Sequence, residues 1–382
     1  MNGLEPLRLA ACEFESHVST NSTTSPNIDI IHTMNNGFYK KDYDFVLPDH
    51  LIAKFPPKNR GESKLLKVHG SDFNCDLVTN LVNFFNPNDL LVFNETKVFK
   101  ARLKIFKESG GKAEILIIQK LTKNSGICLT KGINKKKKKQ KVITRDFPID
   151  IEILKIEENL VYIKFSQDLE SLCSSQGEVP IPPYLNRDTT DIDNERYQSI
   201  FANNRFNNSV AAPTASLHFN DSLWNEIKER VDVANINLDI GYGTFQPLDD
   251  SIISANTKLH KETFFISNET QHKIYKCKEQ GGRVIALGTT TLRALESAFD
   301  TKESTISTGH QSTEIFISEG YKFKVIDSLI TNFHLPMSSL LMLVCAFGGK
   351  DNIMDAYNFA IKMKYKFFSY GDAMLIEKCL SK

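Results

Sequence analysis

The sequence predicts an α/β (α+β) protein: a large mixed-sheet, barrel-like domain with helices, and a smaller inserted all-β domain. Between residues 103 and 177, short runs of β-forming residues follow one another without a long helical pattern. From residue 178 onward, strand-like and helical runs alternate instead. The chain has 382 residues, more than one core comfortably organises, so two domains are expected. We therefore assign residues 42–102 and 178–382 to the large domain and residues 103–177 to the insert.

Residues 1–41 are rich in Ser, Thr and Asn and have no periodic apolar pattern, which predicts a disordered extension. No apolar stretch follows a basic start, as a secretory signal would require. Glu5, Glu13 and Glu15 argue against a mitochondrial leader, because such leaders are poor in acidic residues. Met34 is an alternative first residue of the working protein.

Within the insert, strands are predicted at residues 113–121, 149–156 and 160–165. The lysine-rich residues 131–141 lie between the first two strands and are therefore predicted to form a long hairpin tip. Two roles are open for the lysine run at residues 135–139. It is either a solvated loop or a source of sequence-independent attraction to a polyanion backbone, which salt would weaken.

In the large domain, the alternating pattern predicts strands at residues 236–240, 263–266, 283–287 and 324–330. Helices are predicted at residues 221–231, 268–279, 290–299, 336–347 and 353–366. Pro336 suits the first turn of a helix, because the N–H that proline lacks has no helical partner there. In such proteins, ligands bind in loops at the ends of strands.

The composition excludes several classes of protein. The 47 Lys and Arg residues against 46 Asp and Glu leave a net charge of +1, so the chain is not basic throughout. No apolar run approaches the roughly 20 residues that a membrane-spanning helix needs. The seven cysteines never form a CxxC pair, so we expect free thiols, no metal site and a cytoplasmic location.

Three segments carry side chains that suit acid–base chemistry. Residues 211–219 (AAPTASLHF) combine small residues with His218, so the backbone can approach a ligand and the imidazole can titrate near neutrality. Residues 331–336 (TNFHLP) place Asn332 and His334 on a strand-to-helix loop. For each histidine, a structural hydrogen bond is the alternative role. Asp372 lies in a polar turn that could instead act as a C-terminal clasp.

Two further segments indicate contacts with a ligand. Gly241 and Gly243 follow a strand and permit positive φ and close backbone approach, although the third glycine and the helix of a dinucleotide fingerprint are missing. Residues 288–293 (GTTTLR) place consecutive threonines at the start of a helix. This arrangement predicts either a receptor for an anion or ordinary capping.

Taken together and in this order, segments between residues 42 and 376 resemble those of one family, the S-adenosylmethionine:tRNA ribosyltransferase-isomerases, which build epoxyqueuosine in tRNA. Each segment alone is weak evidence, whereas all of them in register are specific. They are DFVLP (44–48), DLLVFNET (89–96), PIPPY (180–184), ERYQ (195–198), AAPTASLHF (211–219), GYGTFQP (241–247), GTTTLR (288–293), TNFHLP (331–336) and FFSYGDAM (367–374).

The resemblance implies a reaction that composition alone does not reveal. The ribosyl group of S-adenosylmethionine is transferred to 7-aminomethyl-7-deazaguanine (preQ1) at the wobble position of tRNA and isomerised, while adenine and methionine leave. S-adenosylmethionine is thus a consumed ribosyl donor, and the macromolecular partner is the preQ1-modified anticodon loop. We expect the protein to be a monomer.

The resemblance also implies where the site lies. The reaction needs a base near the 5′ carbon, an acid for the departing adenine and a neutral aminomethyl group. His218 and His334 are expected to meet these needs, with Asp372 as an orienting or acidic partner. The residues expected to bind S-adenosylmethionine are Thr289, Thr290 and Arg293 at the methionyl carboxylate, Gly241, Gly243 and Phe245 around the nucleoside, and additionally Thr244 and Asn332.

The chain departs from the family pattern at two positions. Asp239 stands where the family usually has a histidine, and Lys64 replaces a common arginine, which keeps the charge but loses bidentate phosphate geometry. Two alternative functions remain open. An S-adenosylmethionine-dependent methyltransferase would need a glycine-rich turn and an acidic strand end that are not evident. A non-catalytic tRNA-binding paralogue would be consistent with Asp239.

Overall fold

The computed structural model describes residues 37–145, 147–245, 253–254 and 257–379. The predicted extension, residues 1–41, lies almost entirely outside these ranges, as do Gln246 and Pro247, so its disorder stays a prediction. The cysteines in the described ranges are free thiols, as predicted. None of the described helices is long and apolar enough to cross a membrane.

The strands are β1 (Gly37–Phe38), β2 (Lys64–His69), β3 (Asp72–Leu77), β4 (Leu90–Asn94), β5 (Arg102–Lys107), β6 (Lys112–Thr122), β7 (Ser125–Lys131), β8 (Lys139–Thr144), β9 (Phe147–Glu157), β10 (Leu160–Phe165), β11 (Asp232–Leu238), β12 (Ile253–Ser254), β13 (Glu262–Ile266), β14 (Val284–Leu287), β15 (Phe299–Asp300), β16 (Thr305–Ile306), β17 (Gly309–Thr313), β18 (Ser328–Asn332) and β19 (Ala373–Glu377). The α-helices are α1 (Leu169–Gln176), α2 (Asp191–Arg196), α3 (Asp221–Arg230), α4 (Asn268–Glu279), α5 (Thr289–Ala298), α6 (Ser339–Gly348) and α7 (Lys350–Lys362). Short 3₁₀ helices include Val78–Phe84, Thr214–His218 and Tyr242–Phe245.

A nine-stranded mixed sheet lies in the part of the chain predicted as the large domain, in the order β17-β13-β11-β4-β14-β18-β19-β2-β3. Its neighbouring strands β11, β4, β14 and β18 run parallel. β4 and β14 are apolar along most of their length, as is typical of strands covered on both faces. Leu90 and Val92 face a core shared with α4, α5, α6 and α7, whereas Leu91 faces a second core with α3. Because these four strands run parallel, their carboxyl ends lie at one edge of the sheet.

The segment predicted as an all-β insert contains a closed six-stranded antiparallel barrel, in the order β10-β7-β6-β5-β8-β9. Side chains alternate between inside and outside, as in β8, where Gln140, Val142 and Thr144 are buried. The insert also contains α1, a helix that the sequence did not predict, which begins where the Asp168 carboxylate accepts two backbone N–H groups. The exact domain boundaries stay a prediction.

Three predictions about individual elements are wrong. Residues 131–141 are not a hairpin tip, because β7 and β8, which they join, are not neighbours in the barrel. The helix predicted from Pro336 begins at Ser339, because Met337 adopts a left-handed φ of 55° and the Ser338 hydroxyl caps the next turn. The strand predicted at residues 324–330 is shifted to Ser328–Asn332, which places Asn332 at the end of the sheet.

Candidate active site

A cleft lies at the carboxyl ends of the parallel strands, and it encloses about 710 Å³ of space when the adjoining open solvent is included. This is the edge where open α/β sheets bind their ligands. Four of the segments singled out in the sequence meet there, and they contribute residues 211–215, 288–290, 331–335 and 368–369. Tyr184, from the PIPPY segment, completes one wall, and its ring centroid is 4.8 Å from that of Phe368.

Asn332 joins three of these segments through its side-chain amide. Its Oδ1 accepts a hydrogen bond from Thr214 Oγ1 at 2.9 Å, and its Nδ2 donates to the carbonyl of Phe368 at 3.2 Å. The same Nδ2 lies 3.0 Å from Nε2 of His218 and 3.4 Å from the carbonyl of Asp372. Because Asn332 is 2% exposed, these bonds form in a largely dry environment and hold the cleft in one geometry.

His218 lies behind Asn332 and does not line the cleft. Burial, and secondarily the charge of Arg60, lower the pKa of His218 to about 4, so the imidazole is neutral at pH 7. Its Nε2 faces the Asn332 amide donor and therefore acts as the acceptor, which puts the imidazole proton on Nδ1. Any influence of His218 on a ligand in the cleft passes through Asn332.

His334 lines the cleft directly. Its Nε2 is 3.0 Å from Thr331 Oγ1, and its backbone N–H donates to the hydroxyl of Tyr357 at 2.8 Å. Burial lowers the pKa of His334 to about 3, so this imidazole is also neutral at pH 7. Of the two predicted histidines, His334 is the one that a ligand can touch.

The threonines at the start of α5 do not cap the helix. Gly288 is the N-cap residue, with a left-handed φ of 92° and no side chain to accept the free N–H groups. Thr291 donates its hydroxyl to the carbonyl of Leu287 at 2.8 Å, whereas Thr289 and Thr290 line the cleft. Two hydroxyls and the uncapped, electropositive end of a helix therefore face the same space, which suits an anion.

Arg293 lies one turn further along α5, is 4% exposed and does not line the cleft. Its Nη1 forms an ion pair with Glu262, whose Oε1 accepts the backbone N–H of Gly241 at 3.1 Å. Its Nε and Nη2 have no hydrogen-bond partner among the described residues. The guanidinium thus connects α5 to the turn after β11 and keeps unused donors.

The backbone conformation of the two glycines in that turn differs from the prediction. Neither Gly241 nor Gly243 has positive φ. A Cβ on Gly243 would lie 2.2 Å from the ring of His260, so this glycine admits a neighbouring side chain. The backbone of Thr244 and Phe245 ends the 3₁₀ helix, but their side chains lie outside the described residues, so their predicted contacts stay predictions.

Two carboxylates near the site bond to protein groups. Both oxygens of Asp372 accept backbone N–H groups, from Lys64 at 2.7 Å and from Lys366 at 2.6 Å, while burial raises its pKa. Asp372 does not line the cleft, so its bonds are consistent with the alternative of a C-terminal clasp, and its expected role in the reaction stays a prediction. Asp239 accepts from Thr263 Oγ1 at 3.3 Å and is also outside the cleft, and burial raises its pKa as well.

Sequence reasoning missed Thr214, Phe368 and Ser369 as lining residues, although all three lie in quoted segments. Phe368 has a left-handed φ of 73°, which is rare for a bulky residue and is typical of functional sites. For Thr214, the sequence contained a signal of a lining role, because this hydroxyl stands among small apolar residues. No cluster of three or more His, Cys, Asp or Glu side chains suited to a metal ion is found among the residues that the structure describes.

Comparison with known proteins agrees with these motifs. The family described as queuosine biosynthesis protein matches residues 40–376. A protein from Acinetobacter baumannii (strain AYE) named S-adenosylmethionine:tRNA ribosyltransferase-isomerase is 42% identical over 339 residues, covering 88% of this chain and 98% of that protein. One of the same name from Citrifermentans bemidjiense is 41% identical over 347 residues, covering 88% and 99%. The crystal structure of S-adenosylmethionine tRNA ribosyltransferase from Thermotoga maritima is similar with a TM-score of 0.50 and 31% identity, covering 88% and 99%.

Proposed function

Because the chain belongs to the queuosine biosynthesis protein family, we propose that it is an S-adenosylmethionine:tRNA ribosyltransferase-isomerase. It transfers the ribosyl group of S-adenosylmethionine to 7-aminomethyl-7-deazaguanine in a tRNA anticodon loop and isomerises it, releasing adenine and methionine. The observation that carries the proposal is the convergence of five family segments on one cleft, at the sheet edge where α/β proteins bind ligands. S-adenosylmethionine is consumed as a substrate in this reaction.

His334 is proposed as the general base. The positive sulfur of S-adenosylmethionine acidifies the adjacent 5′ carbon, so a neutral base must reach that carbon. His334 lines the cleft and is neutral at pH 7, because burial lowers its pKa to about 3. The contact between its Nε2 and Thr331 Oγ1 orients the ring. A base with such a low pKa is weak, so the acidity of the carbon beside the positive sulfur must supply much of the driving force for proton transfer.

Asn332 and His218 are proposed to act as a pair. Asn332 lines the cleft and can accept a hydrogen bond from a substrate through Oδ1, while its Nδ2 faces His218 Nε2 at 3.0 Å. His218 is thereby a positioning residue whose effect on the reaction depends on Asn332. The carboxylate of Asp372 is proposed to support the turn that carries Phe368, through its bonds to backbone N–H groups.

The start of α5 is proposed to bind the methionyl carboxylate. Thr289 and Thr290 present hydroxyls beside the uncapped helix end, and a carboxylate there would gain charge-assisted hydrogen bonds. Arg293 lies behind this end of the helix, where its charge is paired with Glu262 and two of its donor nitrogens have no partner among the described residues. The rings of Tyr184 and Phe368 form an apolar wall on which a nucleobase can stack.

The test is incubation of the purified protein with S-adenosylmethionine and tRNA that carries the 7-aminomethyl-7-deazaguanine wobble base. Nucleoside mass spectrometry should detect epoxyqueuosine, and the supernatant should contain adenine and methionine in equal amounts. Formation of S-adenosylhomocysteine would instead identify a methyltransferase. Binding of tRNA without any product would identify a non-catalytic binder, and Asp239→His would then be the first substitution to restore the family pattern.

A further inference from the structure

A second cleft, with about 910 Å³ of empty space, lies where the barrel meets the large domain. One wall is the connection from β4 to β5, and the others come from β6, α1 and the segments around Asn194 and Asn207. Three lysines line it: Lys97, Lys100 and Lys120. This cleft is separate from the lysine run at residues 135–139 and shares no lining residue with the candidate active site.

The lysines keep their positive charge unneutralised. The Nζ of Lys120 donates to the carbonyl of Asn207 at 2.7 Å and lies 4.6 Å from the centre of the Phe99 ring. The Nζ of Lys97 donates to Asn204 Oδ1 at 2.8 Å. These partners are neutral, and none of the three lysines forms an ion pair with a carboxylate in the described part of the chain. Glu170 is the one acidic residue that lines the cleft, so cations exceed anions by three to one.

The second cleft lies directly beside the first. The backbone N–H of Phe99 donates to the carbonyl of Ser209 at 3.1 Å, and Val98 pairs with Ser209 as an isolated bridge. Val98 lines the second cleft and shares a buried cluster with Ala212, which lines the first. The linings of the two clefts thus share one buried cluster.

We propose that the second cleft binds the sugar-phosphate backbone of the RNA beside the nucleotide that enters the active site. This inference rests on the proposed function, which supplies the RNA. A nucleotide held in the first cleft places its neighbouring phosphates close by, and fixed ammonium groups attract phosphate without reading sequence. Phe99 is 4% exposed beneath Lys120, so the cleft offers cations and amides rather than a stacking surface.

The lysine run at residues 135–139 is a weaker candidate for this role. Lys137 and Lys138 are exposed and lie 3.7 Å from Glu108 and 3.6 Å from Glu152, respectively. Nearby carboxylates reduce the attraction of these lysines for phosphate. The run also leads directly into β8, which begins at Lys139.

The test compares full-length variants in salt titrations of RNA binding. Lys97→Gln/Lys100→Gln/Lys120→Gln is matched by the control Lys302→Gln/Lys322→Gln/Lys362→Gln, which removes the same charge from exposed lysines outside the cleft. The probe is a fluorescent anticodon stem-loop with the modified wobble base, and anisotropy gives the affinity at several KCl concentrations. The plot of log affinity against log salt has a negative slope, and the cleft variant should make it less steep by about 2, at roughly 0.7 for each single-strand phosphate contact. The control should keep the wild-type slope.

Two further measurements separate this role from simpler explanations. Lys100→Gln alone leaves the Lys97 and Lys120 contacts intact. It should make the negative slope of log affinity against log salt less steep by about 0.7. Calorimetric binding of S-adenosylmethionine should stay unchanged in all variants, while KM for RNA rises and kcat at saturating RNA does not change. Loss of S-adenosylmethionine binding in the cleft variants would assign the lysines a structural role and overturn the inference.

The inference and the proposed function can fail separately. A wild-type slope and KM in the cleft variant, with product still formed by the wild type, would overturn the inference alone. A reduced slope in the variant, with no epoxyqueuosine from the wild type, would support the RNA site and overturn the reaction. Equal competition by free inorganic phosphate and by RNA at the same phosphate concentration would mark a small-anion site and overturn the assignment to RNA.

Discussion

The two buried histidines of the candidate active site should make the protein less stable in mildly acidic solution. Burial lowers the pKa of His218 to about 4, with the charge of Arg60 as a second cause, and burial lowers the pKa of His334 to about 3. In the unfolded chain, both imidazoles have an ordinary pKa of about 6.5. The unfolded chain therefore binds protons below pH 6.5 that the folded protein does not. The contribution of the two neutral histidines to the free energy of unfolding is therefore fully present above pH 6.5. It is lost as the pH falls towards the folded pKa values.

The size of the effect at pH 5 follows from these values. Both histidines stay neutral in the folded protein at that pH, whereas both are protonated in the unfolded chain. The interval between pH 6.5 and pH 5 corresponds to roughly 2 kcal/mol for each histidine, or about 4 kcal/mol for the two. Since a domain is typically stable by only about 5–15 kcal/mol, the loss should be easy to measure.

The assay is urea unfolding at pH 7 and pH 5, followed by the fluorescence of Trp224, the single tryptophan, which packs against Phe201. His218→Gln and His334→Gln should each remove about 2 kcal/mol of the difference between the two pH values. The exposed His50→Gln is the control and should leave the difference unchanged. If the double variant of the two buried histidines is as sensitive to acid as the wild type, the reasoning is wrong.

Three further predictions concern the cleft. His334→Ala should lower kcat by roughly 10²–10⁴-fold, as loss of a general base does, with S-adenosylmethionine affinity preserved in calorimetry; an unchanged kcat would remove His334 from the mechanism. The double variant Thr289→Val/Thr290→Val should weaken S-adenosylmethionine binding by roughly 10-fold. Binding of 5′-methylthioadenosine, which lacks the carboxylate, should not change, and equal weakening of both ligands would contradict the carboxylate site. Asp372→Asn should lower the free energy of unfolding in urea by about 2–4 kcal/mol, because an amide cannot accept from the backbone N–H groups of both Lys64 and Lys366. A change in kcat without a change in stability would instead support a chemical role for Asp372.

The positions of the functional segments along the chain could be predicted, but their partners could not. The order of the motifs located the cleft, because residues 211–219, 288–293 and 331–336 all contribute to its lining. The positions of single side chains were harder to predict, and their roles stay predictions. His218, Arg293 and Asp372 were expected to face the ligand, yet each is buried behind a residue or backbone segment that does.

A backbone dihedral accounts for one of the remaining differences, and long-range contacts account for another. The helix expected at Pro336 starts later, because Met337 adopts a left-handed conformation that local pattern does not reveal. Asn332, expected on a loop, ends a strand and joins three segments through its amide. The partners of Asn332 lie 36 to 118 residues away along the chain, so no local signal could have identified them.

Composition, periodicity and motif order were sufficient to predict the α/β class, the β-rich insert and the family. These properties depend on local preferences and on residue types that a reaction requires, and both are visible along the chain. The tertiary structure decided which neutral histidine meets the cleft, how the uncapped start of α5 is presented and where the three lysines of the second cleft converge. Burial and distance create these properties, and both arise when segments far apart in sequence pack together.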